Sequence, residues 1–140
     1  MCIRDRNNIS HPLVKDWKFF GVGVVVKDCK IASEYFLSLG FSLEKEVYES
    51  KNLGVKFCHI KVGHMMFELI EPTANDSIYL ESLNTRGEGI ADVSFIVKDL
   101  QSEANDLVEK GADMLLSTND CTLIDARKEG NLVIRLFKNA

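Results

Sequence analysis

Two stretches with the same order of residue types decide the fold, Gly21-Val22-Gly23-Val24-Val25-Val26-Lys27-Asp28 and Asp92-Val93-Ser94-Phe95-Ile96-Val97-Lys98-Asp99. Each is an apolar run typical of a buried strand, and each ends in Val-Lys-Asp, where the aspartate can cap a following helix. Both helical segments stop at a glycine, Gly40 and Gly111, which are 71 positions apart, as are Lys27 and Lys98. The chain therefore carries two copies of one supersecondary unit.

Hydrophobic periodicity extends each copy to a β-α-β-β-β module, so the predicted fold is α+β, with a curled mixed sheet and helices outside. The expected domain covers 19–137, with module 1 at 19–72, a connector with one short helix at 73–89, and module 2 at 90–137. Residues 1–18 are interpreted as a lead-in. Its first six residues resemble a translated adapter remnant and are left out of the fold prediction. The predicted strands are 19–26, 41–48, 55–62, 65–71, 91–97, 114–117, 122–127 and 132–137, and the main helices are 29–39 and 100–110. On the first of these helices, Ile31, Ala32, Tyr35, Phe36 and Leu39 are predicted to form the apolar face, and 128–131 is predicted to be a turn.

Composition excludes several classes of function. The chain has 140 residues, a net charge of −4 and 46% hydrophobic residues. Without clustered lysine and arginine, nucleic acid is not an expected partner. No apolar run reaches the roughly 20 residues of a membrane span, so no membrane partner is expected. The four cysteines form no Cys-x-x-Cys pair, which argues against structural zinc and disulfides and favours a cytoplasmic setting. Cys58 and Cys121 are interpreted as small buried residues.

Strand alternation places three charged residues, Glu68, Asp92 and Arg135, on the sheet face turned away from the helices. Ser94 and Met66 belong to the same face, which is otherwise mostly apolar. If the two modules curl toward each other, the charges meet in a concave trough, the usual form of a small-molecule site.

The paired Val-Lys-Asp turns, Phe67-Glu68-Leu69-Ile70-Glu71-Pro72 and Arg86-Gly87-Glu88-Gly89-Ile90 resemble the vicinal oxygen chelate superfamily, which includes glyoxalase, bleomycin-resistance proteins and methylmalonyl-CoA epimerase. With Asp76-Ser77 and Gly87-Glu88-Gly89, the connector looks most like the epimerase branch. The resemblance implies a small acyl or carboxylate ligand and a homodimer.

The resemblance also implies four inward positions that hold a divalent metal in catalytic members, here Gly21, Glu68, Asp92 and Arg135. Glu68 keeps a usual ligand type, and Asp92 could ligate through oxygen. Gly21 has no donor, and the Arg135 guanidinium cannot bind a cation. No cofactor is therefore expected, and a divalent metal on the two carboxylates is the alternative. A position often credited with a catalytic carboxylate falls near Asn52.

These features leave three hypotheses open. The first is an isomerase- or lyase-like enzyme in which Glu68 is the general base and Arg135 stabilises an enolate, with Asp92, Ser94 and Met66 contributing to ligand binding. The second is a metal-free, ligand-sequestering protein of the bleomycin-resistance type. The third is a structural module in which the three charges form only a buried salt-bridge cluster. His59 is interpreted as a strand residue without a ligand role.

Overall fold

The structure, a computed structural model, describes residue 14 and residues 16–138. Most of the lead-in, including the adapter-like residues 1–6, lies outside the described residues. Within them the chain forms eight strands and four helices. In chain order these are β1 (Lys18–Val25), α1 (Cys29–Ser38), β2 (Ser42–Ser50), β3 (Val55–Val62), β4 (Met65–Pro72), α2 (Ile78–Arg86), β5 (Gly89–Val97), α3 (Leu100–Glu109), β6 (Met114–Ser117), β7 (Cys121–Ala126), α4 (Arg127–Gly130) and β8 (Leu132–Lys138).

The strands form one mixed sheet in the order β2-β3-β4-β1-β5-β8-β7-β6. Within each module the first and last strands are parallel, β1 with β4 and β5 with β8. The modules join through an antiparallel pairing of β1 with β5. This arrangement confirms the predicted α+β fold, in which two similar units share one sheet.

The repeated Val-Lys-Asp turns act as predicted. The side chains of Asp28 and Asp99 each accept a hydrogen bond from the backbone N–H three residues later, at 3.0 and 3.1 Å. Such caps satisfy one of the donors that a helix start leaves unpaired. Gly40 and Gly111 follow the helices with φ of 102° and 92°, a conformation in which glycine carries no Cβ penalty.

The sheet has two chemically different faces. Under α1 and α3 lie two apolar clusters, one around Val26 and Leu69 and the other around Val97 and Leu136. A third cluster, on the opposite face, contains Val25, Ile70 and Val133. The connecting helix α2 packs against this third cluster through Tyr79. Strand alternation therefore identified the two faces, and the connector helix α2 covers part of the inner one.

The sheet is strongly curled. In strand order β3 and β8 are four strand spacings apart, which in a flat sheet is about 19 Å. Yet the Arg135 Cζ atom of β8 lies 5.2 Å from the centroid of the Phe57 ring of β3. The inner faces of the two modules consequently meet across a trough.

The predicted apolar face of α1 is partly wrong. Ile31, Tyr35 and Leu39 are 67%, 62% and 58% exposed, whereas Ala32 and Phe36 pack against the sheet. A helix on a sheet buries one stripe of its surface. Here that stripe also includes the buried residues Cys29 and Ser33, so the neighbouring stripe faces outward.

The predicted turn at 128–131 is also different. Strand β7 ends at Ala126, and the short helix α4 follows before Asn131 adopts a left-handed φ of 59°. The Asp125 carboxylate accepts the backbone N–H of Arg127 at 3.0 Å, which starts this helical turn. Asparagine tolerates the left-handed region better than most residues, so Asn131 can turn the chain back into β8.

The helices of the described residues include none with both the length and the apolar character that a membrane crossing requires. Cys58 and Cys121 are buried, as predicted.

Candidate ligand-binding site

Arg135 lies between two carboxylates at the floor of the trough. Its Nη2 donates to Glu68 Oε1, and its Nε donates to Asp92 Oδ2 at 3.2 Å. The three side chains come from β8, β4 and β5, and their residues are 6%, 1% and 0% exposed. Ser94 lies two residues after Asp92 in β5, and its hydroxyl donates to Glu68 Oε1 at 3.0 Å. The predicted convergence of the three charges is therefore present as a buried, hydrogen-bonded cluster, which we call the arginine cluster.

Asp92 is held by a residue that sequence reasoning did not include. The Tyr79 hydroxyl, from the connecting helix α2, donates to Asp92 Oδ2 at 2.6 Å. The other oxygen, Oδ1, has no hydrogen-bond partner among the described residues. Asp92 lies against Gly23, where a Cβ would come within 2.0 Å of Oδ1. The missing side chain of Gly23 is therefore what makes room for the Asp92 carboxylate.

The two carboxylates differ electrostatically. Burial alone would raise the pKa of Glu68, but the Arg135 charge and hydrogen bonds from His59 and Ser94 outweigh it and hold that pKa below its ordinary value. For Asp92, burial dominates, and the Arg135 charge offsets it only partly, so its pKa is raised. Glu68 is thus the better-stabilised anion of the pair.

Above the arginine cluster lies a cavity of about 230 Å³. Glu68 and Arg135 contribute to its floor. Its walls are largely aromatic and come from β1, β2, β3 and β8: Phe20, Tyr48, Phe57, His59 and Phe137. Phe20 and Phe137 meet edge to face with ring centroids 5.0 Å apart, and Tyr48 and Phe57 are 5.5 Å apart. Such a cavity suits an apolar group with one polar end.

His59 contacts both a residue of the cavity wall, Tyr48, and a residue of its floor, Glu68. Its Nε2 lies 3.2 Å from Glu68 Oε2 and 3.0 Å from the Tyr48 hydroxyl. The tight turn at Gly63-His64 pairs Val62 with Met65 and, counting back along the hairpin, His59 with Glu68. This register is the signal from which a role for His59 in the site could have been predicted.

The other predicted site residues take different places. Ser94 and Asp92 lie beneath the cavity. They do not line it, but they hydrogen-bond to Glu68 and Arg135, which do. Met66 is not among the residues that line the cavity; it pairs with Gly21 in the sheet. The register places Gly23, rather than Gly21, opposite both Glu68 and Asp92. Asn52 lies at the rim, where its Nδ2 contacts Asp120 Oδ2 at 3.3 Å.

The donor set at this centre does not fit a divalent cation. Both carboxylates are already hydrogen-bonded to a permanent cation, and a metal beside the guanidinium would be repelled. In the part of the chain that the structure describes, no group of three or more histidine, cysteine, aspartate or glutamate side chains is arranged to hold a metal. Hard cations require more oxygen ligands than Glu68 and Asp92 supply.

Comparison with solved structures identifies proteins of the same fold. A Streptomyces coelicolor methylmalonyl-CoA epimerase in complex with 2-nitronate-propionyl-CoA has a TM-score of 0.76 at 21% identity, covering 88% of this chain and 97% of the other. A methylmalonyl-CoA epimerase in complex with methylmalonyl-CoA and NH4+ has a TM-score of 0.75 at 21% identity, covering 89% and 95%. The epimerase from Mycobacterium tuberculosis has a TM-score of 0.74 at 22% identity, covering 88% of each chain.

A search of curated proteins found no match. The family described as the glyoxalase/bleomycin resistance protein/dioxygenase superfamily matches residues 21–121, which is most of the chain. That segment contains both Val-Lys-Asp turns, the connecting helix and two of the three charged residues of the arginine cluster. The chain belongs to the glyoxalase/bleomycin resistance protein/dioxygenase superfamily.

Proposed function

We propose that this protein binds a small acyl or carboxylate compound in its aromatic trough without a divalent metal. The observation that carries the proposal is the position of Arg135, a fixed cation that lies beside the Glu68 carboxylate at the floor of a cavity with largely aromatic walls. In this proposal the guanidinium supplies the positive charge that a metal supplies in other members of the superfamily.

Arg135 retains a free donor. Its Nε and Nη2 are used by Asp92 and Glu68, while Nη1 makes no hydrogen bond to any described residue. Because Arg135 lines the cavity, Nη1 is available to a carboxylate or carbonyl oxygen of a ligand. A guanidinium binds such oxygens strongly, since the hydrogen bond is charge-assisted.

The walls favour an acyl group as the remainder of the ligand. The rings of Phe20, Phe57 and Phe137 provide the apolar surface that an alkyl chain would bury. The structural relatives described as complexes hold methylmalonyl-CoA or 2-nitronate-propionyl-CoA. These compounds are therefore the first probes for this chain.

The environment of Glu68 favours sequestration over catalysis. A general base needs a pKa near the working pH and access to the proton it removes. Glu68 is 1% exposed, hydrogen-bonded to three side chains and lowered in pKa. We therefore place ligand binding of the bleomycin-resistance type first. An isomerase- or lyase-like activity with Glu68 as base is the second candidate, and the likeness to epimerase structures favours it.

One pair of measurements separates the two. Calorimetric titration with propionyl-CoA, methylmalonyl-CoA and propionate, with CoA alone as control, tests binding. Exchange of the α-proton of propionyl-CoA in D2O, followed by NMR, tests catalysis. Saturable binding of acyl compounds without exchange is expected. Exchange that is lost in Glu68→Gln would establish the second candidate instead, and no saturable binding by any acyl compound would overturn the first.

We also propose a homodimer. Strand β2 lies at the edge of the sheet, where its unpaired backbone groups are open to pairing, and seven of its nine residues are exposed. Light scattering coupled to size exclusion gives the mass directly. A mass of about twice the 15.8 kDa of the chain is expected, and the mass of a single chain would overturn the proposal.

A further inference from the structure

One nitrogen of His59 serves two oxygens at once. Nε2 lies 3.2 Å from Glu68 Oε2 and 3.0 Å from the Tyr48 hydroxyl oxygen. A neutral imidazole nitrogen either donates or accepts, so the two contacts cannot be treated independently. The position of one hydrogen on His59 therefore determines what the Tyr48 hydroxyl can do.

The charge of Glu68 determines which nitrogen of His59 carries the hydrogen. Its contact with the Arg135 guanidinium and its lowered pKa keep the carboxylate ionised. An unprotonated Nε2 would turn its lone pair toward that negative charge, whereas a protonated Nε2 donates to it. The hydrogen accordingly lies on Nε2, both in the neutral ring and in the imidazolium form.

With Nε2 acting as donor, the Tyr48 hydroxyl cannot donate to it. Tyr48 then accepts from His59, and its own hydrogen has no other acceptor among the described residues. Burial, reinforced by the Glu68 charge, raises the pKa of Tyr48 to about 12, so the hydroxyl keeps this hydrogen at neutral pH. Because Tyr48 lines the cavity, the hydrogen is available to a ligand.

We propose that the Tyr48 hydroxyl and Arg135 Nη1 form a donor pair for one oxygen-bearing group of the ligand, with His59 and Glu68 orienting the tyrosine. Both members pack on the same ring: the Tyr48 ring centroid is 5.5 Å from that of Phe57, and Arg135 Cζ is 5.2 Å from it. The proposal rests on the proposed function and narrows the ligand to a carboxylate or thioester carbonyl. A group that can only donate at this place, such as an ammonium, is disfavoured.

The tautomer can be tested without any ligand. Long-range proton–nitrogen NMR of the protein labelled with ¹⁵N distinguishes a ring that carries its hydrogen on Nε2 from one that carries it on Nδ1. The signals of His59 are assigned by their loss in His59→Gln. A hydrogen on Nε2 is the expected result. A neutral ring with its hydrogen on Nδ1 would overturn the proposal, because Tyr48 would then donate to His59.

Binding tests the donor pair itself. Tyr48→Phe keeps the ring and removes the hydroxyl, so the affinity for propionyl-CoA is expected to fall about 10-fold, the usual effect of one lost hydrogen bond. Tyr35→Phe is the matched control, since Tyr35 is exposed on α1, and its affinity should be unchanged. Wild-type affinity in Tyr48→Phe would overturn the donor pair alone. Absence of saturable binding in the wild-type protein would overturn the proposed function as well.

Discussion

The two modules place different side chains at equivalent inner positions. Strand β1 carries Gly21 and Gly23, while β5 carries Asp92 and Ser94, each 71 positions later. The fourth residue of β4 is Glu68, and the fourth residue of β8 is Arg135. Module 1 therefore supplies space and one carboxylate, whereas module 2 supplies a carboxylate, a hydroxyl and the cation. A repeated backbone thus produces an asymmetric site, in which Arg135 pairs with Asp92 of its own module and with Glu68 across the module boundary.

The largest expected effect comes from removing the cation of module 2. Arg135→Met leaves the Glu68 and Asp92 carboxylates buried without the guanidinium charge that both contact, and such a loss costs about 3–5 kcal/mol of unfolding free energy. Urea unfolding at pH 7 measures it. Arg127→Met is the matched control. Arg127 contacts Asp125 and Glu81 at the protein surface, where an ion pair contributes about 0–1 kcal/mol. Equal losses of unfolding free energy in Arg135→Met and Arg127→Met would contradict the special role of the module 2 cation.

The next effect tests the space in module 1. Gly23→Ala places a Cβ within 2.0 Å of Asp92 Oδ1 and 2.8 Å of an Ile70 methyl group. Overpacking of this kind costs about 1–3 kcal/mol, which thermal or urea unfolding would detect. In the control Gly130→Ala, the nearest atom beyond the adjacent residues is a Leu132 methyl group at 3.7 Å, so no loss is expected. Wild-type stability in Gly23→Ala would show that Asp92 does not need this space.

The two carboxylates should respond unequally to neutralisation. Folding lowers the pKa of Glu68 and raises that of Asp92, so the folded state favours the charge on Glu68 and disfavours it on Asp92. At pH 7, Glu68→Gln is expected to cost about 1–3 kcal/mol, the range for a charged hydrogen-bonded group. Asp92→Asn is expected to cost less. The reverse order in urea unfolding would refute the electrostatic difference between the modules.

The contributions of Glu68 and Asp92 to folding stability depend on pH with opposite signs. The depressed pKa of Glu68 contributes stability above the unfolded value of about 4.3, and this is lost as the pH falls through the folded value. The gap between wild type and Glu68→Gln should therefore shrink on acidification. Asp92 contributes stability below about 3.9, which is lost as the pH rises through its raised folded value. The unfolding free energy of Asp92→Asn should therefore rise relative to that of the wild type as the pH increases. Unfolding curves from pH 3 to pH 7 check both slopes.

The smallest expected effect concerns the outer helices. The exposed residues Ile31 and Leu39 of module 1 correspond, 71 positions later, to Ser102 and Lys110 of module 2. Ile31→Ser installs the module 2 residue on the outer stripe of α1, and Leu39→Lys installs it at the residue that follows the helix. Each should change the unfolding free energy by no more than about 0.5 kcal/mol, as is usual at exposed positions. A loss of 2 kcal/mol or more would show that the outer stripe is covered, and light scattering of the variants would show whether a second copy covers it.

Much of the fold could be predicted from the sequence because the signals are local. Valine-rich runs, the Asp28 and Asp99 caps and the glycines after the helices act within a few residues, and they repeat. The alternation of strand residues also identified which face holds Glu68, Asp92 and Arg135. The buried face of α1 was predicted wrongly because the choice of buried stripe does not depend on a local signal. Its apolar residues cover more of the helix surface than the sheet can bury, and the local pattern does not say which stripe is left outside.

The site was predictable only in part. Strand parity indicates that side chains share a face, and the tight turn at Gly63-His64 determines the pairing of His59 with Glu68. Nothing local in the sequence connects Tyr79, in the helix between the modules, with Asp92, or makes Gly23 the space into which Asp92 fits. Those contacts depend on how far the sheet curls and where α2 lies against it.

The amino-acid sequence by itself determined the repeated module, its helix caps and the charged residues on its inner face, because these follow from backbone periodicity and short-range hydrogen bonds. Only the tertiary structure decided which of those charges pair, which carboxylate is the stable anion and which aromatic rings enclose the cavity. Residues far apart in the chain set these properties, since burial and Coulomb interactions depend on distance in space and on the exclusion of water.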